Sequence, residues 1–272
     1  MKFKLAAFAD EADGSIDGQI KAMKENGVSF LEIRGVDCQN IADITKEKAK
    51  EVRSKLDEAG LAVWSLGSPF GKININDYFE PHLEKFKRSL ENAQILGAKK
   101  LRLFSFYGTS QEPEKYRDKV MRQLQAFVAA ASGSGITLCH ENEKGIYGDI
   151  ANRCLDIHKA IPELKAIFDP ANFIQCGQDT KEAWELLYPY VEYMHIKDAK
   201  ADGRVVPAGK GIGNLPYILS QYKGEVLTLE PHLTVFSGFE KLEAEEKSQM
   251  EYSYPSARTA FDAAVNALKE LI

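Results

Sequence analysis

Leu138-Cys139-His140-Glu141-Asn142-Glu143 is an apolar run that stops on ligand-type side chains. Before it, Gly133-Ser134-Gly135 closes a helical stretch over Pro113 to Ala131. After it, a helical stretch over Ile150 to Ile161 leads to Leu164-Lys165-Ala166-Ile167-Phe168-Asp169-Pro170, a second apolar run ending on a carboxylate. Strand, helix and strand in that order make a parallel crossover unit.

The unit repeats in both directions. Strands are predicted at Phe3 to Ala9, Val28 to Arg34, Leu61 to Leu66, Lys100 to Phe106, Ile136 to Glu141, Leu164 to Asp169, Val191 to Lys197 and Glu225 to Glu230. Helices are predicted at Ser15 to Asn26, Thr45 to Ala59, Glu80 to Leu96, Pro113 to Ala131, Ile150 to Ile161, Thr180 to Leu187, Leu215 to Tyr222 and Pro255 to Ile272. Strict alternation at a spacing of about 35 residues predicts an α/β fold, a single-domain (β/α)8 TIM barrel over residues 1–272. An open doubly wound sheet would want a glycine-rich turn after its first strand, where the chain has Ala9-Asp10-Glu11. Two segments read as loops: Asp198 to Gly213, rich in glycine, and Gly238 to Tyr252, rich in Glu and Lys, a solvated loop, short helix or lid.

Barrel strands present catalytic groups at their C-terminal ends, and their side chains alternate between interior and helix layer. In strand five, Thr137, Cys139 and Glu141 share the inward face, which leaves His140 facing the helices in a structural role. The same phasing turns Asp169, His195 and Glu230 inward on the next three strands. A lone strand-end histidine is commonly structural, and a lone Asp-Pro after a strand is commonly a turn; four ligand-type residues on four consecutive strand ends point to a metal site. Two Glu, one Asp and one His favour Mn²⁺, Mg²⁺ or Co²⁺, with Zn²⁺ acceptable. Three carboxylates around one divalent ion leave net negative charge, so a neutral polyol suits the site better than an anion unless Lys or Arg compensates. Asn142 and Glu143 are placed to orient Glu141. Glu32 and Arg34 share a face of strand two and are expected to pair inside the barrel.

The 272 residues are 44% hydrophobic and 28% charged, ordinary for a globular protein, and the net charge of −5 lacks the basic footprint of a nucleic-acid binder. No window holds the roughly 18 apolar residues of a membrane span. Met1 to Glu11 is too short and too soon acidic for a secretory signal, and Cys38, Cys139, Cys154 and Cys176 show no C-x-x-C spacing, so a cytoplasmic protein with free thiols is expected. The expected partner is a small sugar or polyol, with no nucleic acid and no membrane; a homo-oligomer is compatible with the chain.

The chain resembles the xylose-isomerase-like barrel superfamily, in its sugar phosphate isomerase/epimerase branch. The resemblance is carried by Phe8-Ala9-Asp10-Glu11, Leu31-Glu32-Ile33-Arg34, Gly135-Ile136-Thr137-Leu138 leading to Glu141-Asn142, Phe168-Asp169-Pro170, His195-Ile196-Lys197-Asp198, Gly209-Lys210-Gly211-Ile212-Gly213 and Leu229-Glu230-Pro231-His232. It implies one divalent metal ion held by Glu141, Asp169, His195 and Glu230. Two departures fall at substrate-contacting positions. Glu143 stands where the family often has a histidine, and so does Asn172. The related endonuclease IV type uses three zinc ions and many histidines. This chain has only His82, His140, His158, His195 and His232, which excludes that chemistry.

The expected reaction is isomerisation or epimerisation of a sugar or sugar-like polyol through a metal-stabilised enediolate, with Glu141 and Glu230 as the two bases. Lys72, Asn172, Lys197, Lys210 and His232 are the candidates for substrate binding. A lyase acting on a keto-polyol shares the first step and then expels a hydroxyl, which needs an acid such as His232 or Lys197; a binding subunit with a vestigial site is the remaining alternative. Trp64, Phe70, Phe104, Phe106 and Phe173 are candidates for an apolar wall against a sugar.

Overall fold

The computed structural model describes residues 3–234 and 250–272. Among them, eight parallel strands close into a barrel: β1 (Lys4–Ala7), β2 (Phe30–Ile33), β3 (Ala62–Leu66), β4 (Lys100–Leu103), β5 (Thr137–Glu141), β6 (Lys165–Phe168), β7 (Val191–Ile196) and β8 (Val226–Leu229). Each strand pairs with its neighbours in chain order, and β8 returns to β1 with Leu5 opposite Leu227. The (β/α)8 expectation holds, with strand ends trimmed by one to three residues.

Helices α1 (Ile16–Glu25), α2 (Lys46–Ala59), α3 (Phe79–Leu96), α4 (Pro113–Ala131) and α5 (Ala151–Ala160) cover the first half of the barrel. Then come α6 (Pro170–Gln175), α7 (Thr180–Leu187), α8 (Leu215–Gln221) and α9 (Ala257–Leu271). Their starts follow local chemistry: Ser15, Thr45 and Asp179 accept hydrogen bonds from the Gly18, Lys48 and Glu182 amides, and Ser256 forms a capping box with Thr259. Gly60 and Gly97 end α2 and α3 in the left-handed conformation. The apolar stripes face the sheet. Phe86 of α3 and Phe127 of α4 pack with Phe70, ring centroids 4.7–6.3 Å apart.

Two features were not foreseen. Helix α6 follows directly on Asp169, whose side chain caps it by accepting from the Asn172 amide, with Pro170 at the first helical position. The Asp-Pro pair therefore starts a helix where a turn was the ordinary expectation. The glycine-rich loop after β7 contains a small antiparallel hairpin, Asp198–Ala199 with Val205–Val206. Of the lid candidate at 238–252, residues up to 249 lie outside the described residues; Met250 bridges to Val205, and the Glu251 amide donates to the Val205 carbonyl.

Inside the barrel, Cys139, Ile167 and Tyr193 form a small apolar plug with Trp64 packed against it. These are the residues that the alternation turns inward, one step below the candidate ligands. The strand register then climbs. Glu141 lies opposite Ile167, Ile167 opposite Tyr193, and His195 opposite Thr228. Because barrel strands tilt, this climb becomes a common height for side chains two residues further on.

Candidate metal centre

One ligand atom from each of Glu141, Asp169, His195 and Glu230 lies within 4.8 Å of the others, and all four residues are buried. Opposite ligands around a divalent ion at 2.0–2.2 Å stand roughly 4.2 Å apart, so this spacing suits one ion. His195 Nδ1 is 2.8 Å from Glu141 Oε1 and 3.2 Å from Glu230 Oε2, while its Nε2 is turned 3.0 Å toward Glu32 Oε2. Among the described residues, Asp169 Oδ2 and Glu230 Oε2 are buried and have no aligned hydrogen-bond donor. Both face the Lys197 ammonium, at 3.0 and 3.6 Å, without hydrogen-bond alignment. Two buried carboxylate oxygens with no aligned donor, beside an imidazole nitrogen, are what an ion-holding site requires. The residues therefore fit the group that the sequence implies.

The electrostatics are those of a crowded anionic pocket. Burial pushes Asp169 up to about 7, with Lys197 opposing and Glu141 and Glu230 adding to the rise. Burial also disfavours the charged form of Glu230, but Lys197, His195 and His232 outweigh it and hold this carboxyl well below the usual carboxylate range. His195 moves the other way: burial disfavours the imidazolium, yet Glu141, Glu32 and Glu230 raise it well above the ordinary histidine value.

Two arginines complete the pocket. Arg102, on β4, donates from Nη1 to Glu141 Oε2 at 2.9 Å and to Glu230 Oε1 at 3.4 Å, and spends its other nitrogens on the Gly67 and Ser68 carbonyls. Arg34 donates to Asp10, Glu11 and Glu230 at 2.9–3.2 Å. Phe8 is the floor beneath both: its ring centroid lies 4.4 Å from the Arg34 guanidinium carbon and 4.9 Å from that of Arg102. Glu11, Glu230 and His232 form a second tight group of ligand-type atoms, but Arg34 already supplies its positive charge, 3.1 Å from Glu11 and 3.2 Å from Glu230.

The other expected residues divide. Lys197 is in the pocket, where burial works against its ammonium but Asp169 and Glu230 raise it above the ordinary lysine value. Asn172 Nδ2 donates to the Asn142 carbonyl at 2.9 Å and reaches Glu141 Oε1 at 3.4 Å. His232 is buried beside Glu230 and Glu11, its Nε2 3.5 Å from each. Its backbone is left-handed at φ 46°, and its amide donates to Glu11 Oε2 at 2.7 Å. Burial first, then Lys197, pushes its imidazole well below the ordinary value. Lys72 meets Glu143 Oε2 at 3.1 Å, above the Phe104 ring. It reaches the mouth because Gly71, at φ +91°, lets the loop pass so close to strand four that a Cβ there would lie 2.0 Å from the Phe104 carbonyl oxygen.

Lys210 is not brought in. Asp198 accepts hydrogen bonds from the Gly209, Gly211 and Gly213 amides at 2.9–3.0 Å, and the turn so formed carries Lys210 outward to an exposed position. Nor do Glu32 and Arg34 pair. Residues two apart on a strand stand about 6.6 Å apart along it, so Glu32 belongs to a lower layer, with Tyr193 and His195, while Arg34 serves the rim. Asn142 orients Asp169 instead of Glu141: its side chain exchanges hydrogen bonds of 2.9 Å with the Asp169 amide and carbonyl. His140 takes the expected structural place outside the barrel, 2.9 Å from Ser105 Oγ. Of the proposed aromatic wall, Trp64 lies in the plug, Phe70 and Phe106 pack with Phe127, and Phe173 packs on Phe168; only Phe104 borders the pocket, beneath Lys72 and Arg102. Phe8, Arg102 and the Asp10–Glu11 pair are the contributors that were overlooked. The alternation that turned Glu141 inward applies equally to Lys100-Arg102-Phe104 of strand four and would have found Arg102.

The family model described as xylose isomerase-like TIM barrel matches residues 20–232. No curated protein sequence matches the chain. Among solved structures, the probable 3-DHS dehydratase AsbF of Bacillus anthracis, involved in petrobactin synthesis, superposes with a TM-score of 0.76 at 16% identity over 99% of each chain. The IOLI protein with a bound zinc atom gives 0.76 at 14% identity, over 99% of this chain and 98% of that one. D-psicose 3-epimerase in the presence of D-fructose gives 0.75 at 17% identity over 98% of each. At these identities the likeness shows the fold.

Proposed function

The chain belongs to the xylose isomerase-like TIM barrel family, and from that premise we propose that it is a divalent-metal-dependent isomerase or epimerase of a neutral sugar or polyol. The observation that carries this reading is the convergence of Glu141, Asp169, His195 and Glu230 within 4.8 Å at the barrel mouth. These four residues would hold the ion. When bound, it would act as a Lewis acid toward adjacent oxygens of a hydroxyketone. Glu141 and Glu230 would be the bases: they stand at the two ends of the arc of four ligand-bearing strands, so they can approach a bound substrate from two sides. Lys197, kept protonated by Asp169 and Glu230, would donate a hydrogen bond to a substrate hydroxyl. Asn172 steadies Glu141 from the side.

The charge pattern supports a neutral substrate. Arg34, Arg102, Lys72 and Lys197 each already face a carboxylate within 3.6 Å, so a phosphate or carboxylate on the substrate would have to displace a buried ion pair. The solved structures that the chain resembles include an epimerase and a probable dehydratase, which sets the competing chemistry.

A panel of unphosphorylated ketoses and keto-polyols incubated in deuterated water with Mn²⁺ tests the reading. Deuterium should enter next to the carbonyl, with an epimeric or isomeric sugar as product. A new conjugated chromophore with loss of water would instead assign a lyase, and a preference for phosphorylated over neutral substrates would contradict the neutral-polyol proposal.

A further inference from the structure

Beneath the four candidate ligands lies a hydrogen-bonded chain that ends on His195. Glu32 is fully buried. Its Oε2 stands 3.0 Å from His195 Nε2, and its Oε1 accepts a hydrogen bond of 2.8 Å from the Tyr193 hydroxyl, itself 3.1 Å from Ser65 Oγ. Ser65, Tyr193, Glu32 and His195 come from β3, β7 and β2, so the chain crosses the barrel interior. The imidazole is also fenced by rings: Phe8 meets it edge-on at 5.2 Å and Tyr193 at 5.6 Å. A buried carboxylate is costly unless its oxygens are satisfied, and here both are.

We infer that Glu32 is a positioning residue for His195. It accepts the Nε2–H hydrogen bond, so that Nδ1 is the nitrogen turned toward Glu141 and Glu230, and Tyr193 holds Glu32 in place. This rests on the ion-holding role proposed above. Partners of this kind fix the orientation and basicity of a metal-bound imidazole, and losing one typically weakens metal affinity 10- to 100-fold.

The test titrates wild type, Glu32→Gln, Tyr193→Phe and the double variant with Co²⁺ against a competing chelator. Glu32→Gln should bind about 10- to 100-fold more weakly. Tyr193→Phe should lose affinity in the same direction by less, and the double variant should bind no more weakly than Glu32→Gln alone, because Tyr193 acts through Glu32. The Co²⁺ absorption of the variants should keep the wild-type band intensity, since all four proposed ligands remain. Unchanged affinity in folded Glu32→Gln, or fully additive losses in the double variant, overturns the inference. If Glu32→Gln fails to fold, Tyr193→Phe decides, and unchanged affinity there overturns it. A wild type with no affinity for Co²⁺ defeats the ion-holding reading itself, a separate outcome from the variant comparison, and this inference with it.

Discussion

Glu141→Gln or Glu230→Gln is expected to lower kcat by about 10²- to 10⁴-fold, the range for loss of a positioned proton-transfer group. The change is nearly isosteric, and both carboxyls lie in a fixed frame of Arg102, His195 and, for Glu230, Arg34, so the fold should persist. The two variants should differ in what they leave behind. If each carboxylate serves one face of the reacting carbon, either single variant keeps exchange with solvent at one face while losing net inversion. Deuterium incorporation and product stereochemistry, followed by proton NMR, separate these quantities. Wild-type turnover in both variants would remove them from the chemistry.

The second large effect concerns Arg102. Replacing it with leucine should destabilise the protein by about 3–5 kcal/mol in the absence of divalent ions, because it leaves Glu141 and Glu230 facing each other without their shared guanidinium. For a chain of this size that corresponds to a fall in Tm of roughly 10 °C. The Gly67 and Ser68 carbonyls would also lose their donor. Divalent ion should restore much of the lost stability, since the same two carboxylates are proposed ligands and an ion would supply the missing positive charge. Thermal denaturation of Arg102→Leu with and without Mn²⁺ measures both. A variant as stable as wild type would mean that Arg102 is a bystander.

Much of this site was legible in the sequence because barrel geometry is periodic. Alternation assigned the inward faces of β5, β6, β7 and β8 correctly, and chain order placed Glu141, Asp169, His195 and Glu230 on neighbouring strands. What could not be read was layer and reach. Glu32 and Arg34 share a face but serve different heights. Asn142 sits beside Glu141 in sequence yet spends its amide on the backbone of Asp169, one strand away. Lys210 lies in a family-like glycine motif, but the Asp198 carboxylate at the centre of that turn points the lysine outward. Long side chains such as Arg102 cross between strands, and which carboxylates they meet depends on tilt and register, not on any local pattern.

Glu141, Asp169, His195 and Glu230 are expected to hold a single divalent ion between them, which calorimetric titration of the ion-stripped protein with Mn²⁺ measures. One ion per chain should bind to wild type, and His195→Ala, which removes the nitrogen ligand, should abolish the binding heat. No Mn²⁺ binding by wild type, or undiminished binding by a folded His195→Ala variant, would contradict this assignment.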